Sequence, residues 1–427
     1  MQEKSLSHGL WKVTAPPPPS LRKLIDKITV DVAVIGGGYT GLSAALHLAE
    51  AGKEVALLEA REIGFGGAGR NVGLVNAGLW LMPEDVEKKI GPEHGSRLID
   101  VLGHSPDLVF KLIEKHSIPC EAIRKGTLHC AHSPGGYRSL QQRELQWKAR
   151  GAPVKLLSRK EAAPKIGSDA FFGALLDKRA GTVQPLAYAY GLAKAAQQAG
   201  ASLYIESPVL DYSRKKDVWR LSTPEGTIIA GSVILAVQGY PDFAFMDHKK
   251  AIIPFNFFQF ATPPLPDEVR RTILPGGQGA WDTNLILSSY RLDQAGRLIV
   301  GSVGQVESMG YRLHEKWALR TIDKVFPQIG KTSLEYAWNG CIAMTVDHLP
   351  RFHIFDTNMV TVTSYNGRGI GPGTVFGQLL AKYILDGSEQ DIPLPVKKQR
   401  SVFMRGLRGA WYEVGARAYH VFQRRII

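Results

Sequence analysis

Three glycines at a fixed spacing are the first residues of this chain with a clear chemical use. Gly36, Gly38 and Gly41 fill the pattern G-x-G-x-x-G, and Glu59 follows 18 residues after the last of them. In such a turn the first glycine permits a tight bend, the second lets the backbone approach a pyrophosphate, and the third lets a helix pack close to a strand. A carboxylate at position 59 accepts hydrogen bonds from ribose hydroxyls and repels a 2′-phosphate. The spacing predicts a dinucleotide site that disfavours NADP.

A strand, a helix and a second strand must hold these residues in place. Residues 30–35 are a short apolar run, mostly β-branched, which is typical of a strand buried on both faces of a parallel sheet. A helix over 42–52 and a strand over 54–58 are predicted next. The glycine pattern alone is weak, but strand, glycines, helix, strand and acid in this order favour a dinucleotide. The alternative is a structural turn without a ligand.

A second glycine-rich stretch favours FAD over NAD. Residues 64–73 contain five glycines and cannot form a regular helix or strand, so we predict a loop whose amides bind a flat, polar group. A third such loop, 365–373, precedes a helix predicted over 374–385. A helix N-terminus there would stabilise the negative charge of a reduced flavin ring.

Composition excludes several other classes of protein. The 427 residues are 44% hydrophobic and 21% charged, which excludes wholesale disorder. Three cysteines exclude a disulfide framework, and no His/Cys cluster has ligand spacing, so no metal site is expected. We find neither a secretory signal nor an unbroken apolar span, which predicts a soluble, cytoplasmic protein.

The glycine-rich segments together resemble the D-amino-acid-oxidase-like superfamily of FAD-dependent amine and amino-acid oxidases, from about residue 30 to about residue 385. The stretches VIGGGYTGLSAALHLAEAG, GFGGAGRN and SYNGRGIGPG begin at 34, 64 and 364. They have counterparts of similar length and order in the γ-glutamylputrescine oxidase branch, as does the arm around Trp11.

The resemblance implies an α/β fold. It consists of a Rossmann-like FAD-binding domain of the glutathione-reductase type with an inserted α+β substrate domain built on a mixed antiparallel sheet. The expected division is an exposed N-terminal arm (1–27), a discontinuous FAD-binding domain (28–82, 151–237 and 338–396), a substrate domain (83–150 and 238–337) and a basic C-terminal helix (397–427).

Cofactor contacts carry over by position. The resemblance assigns phosphate contacts to Gly36, Gly38, Tyr39, Thr40 and Gly41, and ribose contacts to Glu59, Ala60 and Arg61. It assigns flavin contacts to Gly66, Gly67, Ala68, Gly69, Arg70, Asn71, Val72, Gly73 and Leu74, and an adenine contact to Val209. It places Gly340, Arg368, Gly369, Ile370, Gly371, Gly373 and Thr374 around the far edge of the ring.

Attachment of the flavin is expected to be non-covalent. Some sarcosine-oxidising relatives attach FAD through a cysteine near Cys341. The competing interpretation is that Cys341 is a buried small residue, which is the usual state of a free cysteine.

Departures from the family pattern bear on the substrate. Ala68 replaces a serine that usually contacts the cofactor, and Arg368 replaces a common histidine. Relatives that oxidise simple amino acids carry an arginine that clamps the substrate carboxylate, whereas residues 338–343 (WNGCIA) are neutral. This favours an amine, of the polyamine or γ-glutamyl-amine type.

The expected reaction is oxidation of a C–N bond by hydride transfer to flavin N5, giving an imine that hydrolyses to an aldehyde and an amine. Either O2 or a quinone would reoxidise the flavin. The alternatives are oxidation of a D- or secondary amino acid, an RNA-modifying flavoprotein, and a flavin-binding protein without turnover. The positive charge is concentrated in one tail, so no nucleic-acid partner is expected.

Candidate catalytic and substrate residues are positional predictions, each with a structural alternative. Arg368 would stabilise the reduced flavin or hold an anionic substrate tail, or it is a loop arginine. Tyr365 would line the pocket or simply end its strand, and the role of His348 is left open. Trp80 would lie over the flavin face, and Phe258 and Phe260 would be walls around the substrate's alkyl chain; each of these three is otherwise a packing residue.

The last segment, 397–427, has eight Lys/Arg and one acid. Leu407, Trp411, Val414, Ala418, Phe422 and Ile426 recur at helical spacing. This pattern predicts either peripheral docking on an anionic membrane or a helix packed on its own domain with a solvated basic face.

Overall fold

The β-branched run near the start of the chain forms the centre of a mostly parallel sheet. Lys27–Ile35 pairs in parallel with Thr227–Leu235 on one side and with Val55–Leu58 on the other. The first sheet contains, in spatial order, Arg351–Asp356, Met359–Thr363, Thr227–Leu235, Lys27–Ile35, Val55–Leu58 and Ser202–Tyr204, with Val218–Ser222 and Asp211–Lys215 added as a hairpin beside Thr227–Leu235. The computed structural model describes residues 8–240, 243–307, 309–356, 358–399 and 401–422.

Apolar helices bury the central strands. Val32 to Ile35 are all buried, as expected for strands covered on both faces. Tyr39–Glu50 and Ile370–Asp386 lie against each other, and the Ser43 hydroxyl donates to the Thr374 carbonyl at 2.7 Å. The predicted strand, helix and strand are therefore present, with the helix starting three residues earlier than expected.

A second, mainly antiparallel sheet forms the other half of the protein. Its order is Tyr336–Met344, Ile253–Pro264, Arg297–Val303, Ser289–Leu292, Gly279–Asp282, Thr127–Cys130, Gly173–Asp177 and Val154–Ser158. One pair, Gly279–Asp282 with Thr127–Cys130, is parallel. Leu74–Val75 and Gly181–Thr182 form a separate two-stranded sheet. The predicted α/β fold with a mixed antiparallel second sheet is confirmed.

The second sheet draws strands from segments that we assigned to the FAD-binding domain. Val154–Ser158 and Gly173–Asp177 pair through to Thr127–Cys130, and Tyr336–Met344 pairs with Ile253–Pro264. The expected boundaries near 150 and 338 therefore do not match the pairing, because neighbouring strands in this sheet come from distant parts of the chain.

The α-helices beyond those two cover the sheets and the ends of the chain. They are Leu10–Thr14, Pro83–Ile90, Pro92–Gly103, Ser105–Lys115, Pro134–Lys148, Arg159–Ile166, Pro185–Gln198, Met246–Lys250, Asp267–Arg270, Met309–Val325 and Arg405–Phe422, with short 3₁₀ turns at Gly67–Gly69, Phe243–Phe245, Pro327–Ile329 and Glu389–Asp391. Within the described residues, no helix is both long and apolar enough to span a bilayer.

The start of the described N-terminal arm is buried, whereas much of residues 12–27 is exposed, so the expectation of an exposed arm is wrong for residues 8–11. His8, Leu10 and Trp11 have no exposed surface. The Trp11 indole donates to the Asn71 carbonyl at 2.9 Å and packs edge-on against Trp338. Burial of a large aromatic side chain outweighs the polar character of the surrounding sequence. Residues 1–7 lie outside the described part of the chain.

Candidate active site

One cavity of about 960 Å³ joins the two sheets. It extends from the glycine turn at 36–40 to the second sheet, where Phe257, Gln259 and Trp281 line it. Its size suits an extended ligand, since pockets for small molecules and cofactors measure about 300–1,000 Å³.

The glycine turn is built as its sequence pattern requires. Gly36 has φ 112°, a conformation that side chains disfavour. An added Cβ on Gly41 would lie only 1.9 Å from the Gly36 carbonyl oxygen, so the third glycine permits the close contact of helix and strand. No acidic residue occupies the first turn of helix Tyr39–Glu50, which leaves its partially positive N-terminus free to attract phosphate.

Glu59 lies beside this turn at the end of Val55–Leu58. One carboxylate oxygen accepts from the Gly37 amide at 2.7 Å, and the other accepts from the Arg61 amide at 2.9 Å. These bonds fix the carboxylate at the cavity wall, where Glu59, Ala60 and Arg61 all line it.

Asn71 holds the second glycine-rich loop in shape. Its side-chain amide donates to the Gly67 and Ala68 carbonyls at 2.9 Å each and accepts from the Gly73 amide at 2.8 Å. The Tyr39 hydroxyl also donates to the Ala68 carbonyl, at 2.6 Å. The loop is therefore a preformed part of the cavity wall.

The loop before helix Ile370–Asp386 is fixed from both sides. Tyr365 lines the cavity, and its hydroxyl lies 2.8 Å from the hydroxyl of Thr40 in helix Tyr39–Glu50. Asn366 accepts from the Thr345 amide at 2.8 Å, which ties this loop to the segment that carries His348. His348 also lines the cavity, and its backbone φ is 61°.

The structure brings most of the predicted cofactor residues to the cavity. Those that line it are Gly36, Gly38, Tyr39, Thr40, Glu59, Ala60, Arg61, Gly66, Gly67, Ala68, Asn71, Val72, Leu74, Val209, Gly369 and Ile370. Those that lie behind it are Gly41, Gly69, Arg70, Gly73, Gly340, Arg368, Gly371, Gly373 and Thr374.

The residues behind the wall permit close packing. A Cβ on Gly73 would lie 2.1 Å from the Val183 carbonyl oxygen, and one on Gly371 would lie 2.4 Å from the Ser105 hydroxyl. Gly340 faces the Phe257 ring in the same way. Arg70 is buried under the Phe65 ring, with its guanidinium carbon 4.5 Å from the ring centre. These residues shape the cavity without lining it.

The predicted aromatic walls Phe258 and Phe260 face away from the cavity. Both are fully buried in the core between the second sheet and helix Met309–Val325. Because successive strand residues point to opposite faces, Phe255, Phe257 and Gln259 line the cavity instead. The alternation was evident from sequence, but the choice of face was not.

Four residues on neighbouring strands form a row across the second sheet, at the end of the cavity away from the glycine turn. Gln259 pairs with Gly301, Gly301 pairs with Ser289, and Ser289 pairs with Trp281. Gln259 lies over Gly301, where an added Cβ would be 2.0 Å from its amide oxygen. Among the described residues, this buried oxygen and the Trp281 indole nitrogen have no hydrogen-bond partner. Three strand spacings, about 14 Å, separate the two residues.

Arg368 lies behind two tryptophans and not in the cavity. Its guanidinium carbon is 5.2 Å from the Trp80 ring centre and 5.1 Å from that of Trp281, and it donates to the Ala77 carbonyl at 2.5 Å. Burial, reinforced by the nearby charge of Arg143, lowers the pKa of Arg368 to about 9. Trp80 itself lines the cavity, so Arg368 supports this wall from behind.

The acid and the arginine of the cavity wall lie at its nucleotide end. Among the described residues that line the cavity, Glu59 is the only acid and Arg61 is the only lysine or arginine. Cys341 lines the cavity, and burial raises the pKa of its thiol, which lowers its reactivity as a nucleophile.

Several lining residues were not predicted from sequence. Tyr240 accepts from the Cys341 amide at 2.6 Å, and Gln238 accepts from the Ser364 amide at 2.8 Å. Trp411, Tyr412 and Tyr419 of the C-terminal helix also line the cavity. No local sequence motif marks these residues, because only the folding of distant segments against each other brings them to the cavity.

Comparison with known families decides the class. The family model described as FAD-dependent oxidoreductase (DAO) matches residues 31–383. The chain belongs to this family. It is 32% identical to the probable oxidoreductase OrdL of Haemophilus influenzae over 84% of each chain. It is 30% identical to the gamma-glutamylputrescine oxidoreductase of Escherichia coli over 86% of each chain.

Solved structures share the fold at lower identity. Glycine oxidase from Geobacillus kaustophilus has a TM-score of 0.69 at 21% identity, covering 85% of this chain and 96% of its own. L-proline dehydrogenase from P. horikoshii has a TM-score of 0.69 at 19% identity, covering 95% of this chain and 99% of its own.

The family assignment makes the protein an FAD-dependent oxidoreductase. The cavity fits that cofactor, since the Gly36 turn, the helix N-terminus and the fixed Glu59 carboxylate provide phosphate and ribose contacts at one end. The residues that would hold it are those that line the wall from Gly36 to Leu74, with Val209, Gly369 and Ile370.

Proposed function

We propose that the protein oxidises a C–N bond of an amine of the polyamine or γ-glutamyl-amine type. The observation that carries the proposal is the cavity lining over the second sheet, where the described residues, Gln259 among them, include no lysine or arginine. A simple α-amino acid would bring a carboxylate beside the reacting nitrogen, and no described lysine or arginine lines this end to pair with it. A γ-glutamyl amine keeps its carboxylate far from that nitrogen.

The neutral chamber suits the protonation state that the reaction needs. A C–H bond next to nitrogen gives up a hydride only when the nitrogen lone pair is free, so the amine must bind without its extra proton. Desolvation by apolar walls, with no described carboxylate lining this end, disfavours an ammonium ion. In this proposal the Gln259 side chain, which lines the cavity, accepts the remaining N–H.

The overall chemistry balances with FAD as the oxidant. When bound, FAD accepts the hydride. The substrate loses that hydride and its N–H proton to become an imine, and water then splits the imine into an aldehyde and an amine. The residues of this chain bind and orient the amine and limit access of water. Either O2 or a quinone would accept the electrons afterwards.

Anaerobic bleaching of the flavin absorbance tests the proposal. Purified holoprotein is mixed with polyamines, γ-glutamyl amines, sarcosine and D-amino acids in separate reactions. We expect bleaching with one of the first two groups and an aldehyde product. Bleaching by the amino acids alone would replace the proposal with amino-acid oxidation, and bleaching by none would refute turnover of amines. Readmission of O2 or a soluble quinone then identifies the acceptor.

A further inference from the structure

The C-terminal helix Arg405–Phe422 packs on the protein through its small and polar side. Gly409 lies against Pro254, and Ala416 and His420 are fully buried. His420 hydrogen-bonds to the Ser302 hydroxyl at 3.1 Å and to His314 at 3.0 Å. Glu413, the helix's single acid, points to this side and accepts from the Gln305 amide at 3.2 Å.

The apolar stripe of the same helix faces outward. Leu407, Trp411 and Val414 are 64%, 76% and 62% exposed. Phe403 and Met404, just before the helix, and Val421, near its end, are exposed as well. The sequence pattern is therefore present, but its apolar face does not pack on the domain. We call this set of six residues the outer stripe.

Basic residues flank the outer stripe. At 100° per residue, Arg408 and Arg417 project about 90° to either side of it, and Arg417 is paired with Glu413 at 3.3 Å. The exposed surface of the helix has no acid, since Glu413 lies on the packed side. An apolar face with cations at its edges and a tryptophan near its centre is typical of helices that lie in the interface of an anionic bilayer. Arg424, Arg425 and Ile426 lie outside the described residues.

The outer stripe adjoins the cavity. Trp411 lines the cavity although it is mostly exposed, and so does Leu285, which is 92% exposed. Leu285 adds a further apolar group at this surface. The cavity therefore reaches the protein surface beside the stripe.

We propose that the outer stripe is a peripheral membrane-docking surface for anionic phospholipid. The apolar side chains enter the interface while Arg408 contacts a lipid phosphate. Docked in this way, the protein holds the mouth of its cavity at the lipid surface. The proposal is independent of which amine is oxidised.

Vesicle co-sedimentation of the full-length holoprotein tests the proposal. Vesicles of phosphatidylcholine alone are compared with vesicles that also contain phosphatidylglycerol. We expect the affinity for the anionic vesicles to be at least about tenfold higher than for the neutral vesicles. High salt should weaken this binding, because each basic residue near an anionic surface contributes to affinity. The double variant Leu407→Glu/Val414→Glu, which alters no cavity-lining residue, should lose this binding.

A matched control is Leu145→Glu, which places the same charge on an exposed leucine of another helix. It should bind vesicles as the wild type does. Equal binding to both vesicle types, or unchanged binding by the double variant, would overturn the proposal. So would a dimer in light scattering that the double variant converts to monomer, since the stripe would then cover a second copy of the chain.

Discussion

At the scale of single residues, the glycine turn leaves no room for a side chain at its third glycine. Gly41 allows its helix to approach the Gly36 carbonyl more closely than any other residue permits. Since that carbonyl belongs to the backbone of the turn, no side-chain rotation can make room for a methyl group.

We expect Gly41→Ala to weaken FAD binding about tenfold or more, which corresponds to about 1.4 kcal/mol. The added Cβ displaces the helix N-terminus from the phosphate position. The ratio of flavin to protein absorbance after purification, with a titration of FAD, measures the effect. Gly406→Ala is the control, because its Cβ meets no atom within 4 Å. A yellow Gly41→Ala protein with normal affinity would contradict this interpretation of the turn.

Gln259 provides a prediction at the substrate end. Gln259→Leu removes the unpaired acceptor, and we expect kcat/KM for the amine to fall about fivefold, the usual value of one hydrogen bond. Gly301→Ala should give a similar defect, since its Cβ would occupy the space of the Gln259 amide. Steady-state kinetics measures both.

Gln278→Leu is the matched control, because Gln278 does not line the cavity. Recovery of activity in Gln259→Asn would support the role of the amide. If Gln259→Leu kept full kcat/KM while remaining folded, the acceptor would have no part in substrate binding.

The sequence predicted these sites unequally. The pattern around Gly36 was sufficient because its geometry is local. Gln259 and Trp281 could not be assigned to one cavity from sequence, since their placement in one row depends on the pairing of four strands. Phe258 was placed on the wrong side because a strand's alternation defines two faces without saying which one is the site.

At the scale of elements, the two chain ends depart most from expectation. The N-terminal arm was expected to be exposed, yet its short helix Leu10–Thr14 buries Leu10 and Trp11 beside Asn71 and Trp338. The C-terminal helix has an apolar stripe of the expected periodicity, but packs through the opposite side. Periodicity identifies a face, and only the partner surface determines how that face is used.

Trp11→Ala tests the arm. We expect the free energy of unfolding to fall by about 3–5 kcal/mol, the usual cost of truncating a fully buried tryptophan. Denaturant titration of the holoprotein measures the loss. Val13→Ala, on the exposed side of the same helix, should change stability by no more than about 0.5 kcal/mol. Equal effects of the two variants would place the arm outside the core.

At the scale of the whole molecule, buried histidines tie distant segments together. His8 bonds to the Gly64 carbonyl, His248 bonds to the Val237 carbonyl, and His314 bonds to His420. Burial lowers the pKa of His8, His248 and His314 to about 4 and that of His420 to about 3. Each of them is neutral in the folded state at neutral pH.

Stability should therefore fall as the pH drops below about 6.5. The unfolded chain binds protons at these histidines before the folded chain does, so protonation favours unfolding between about pH 6.5 and pH 4. Each histidine costs up to about 2 kcal/mol at pH 5. Thermal denaturation at about pH 7.5 and pH 5 measures the loss. The difference in melting temperature between the two pH values should be smaller for His420→Gln than for the wild type. A melting temperature that is constant over this range would contradict the assignment.

Fold class was predictable from sequence, whereas the segment boundaries were not. The order of strand, glycine turn, helix and acid is a local signature of the first sheet. The second sheet collects Thr127–Cys130, Val154–Ser158 and Tyr336–Met344 from three distant segments, and no local pattern records that pairing.

The central strand has a consequence for biosynthesis. Lys27 pairs with Thr227, which the ribosome adds 200 residues later. Because protein synthesis adds about 5–20 residues per second, one edge of this apolar strand stays without its native neighbour for roughly 10–40 s. An unpaired edge of that kind can template aggregation. The yield of soluble protein should therefore depend on chaperones that shield the nascent chain during this interval.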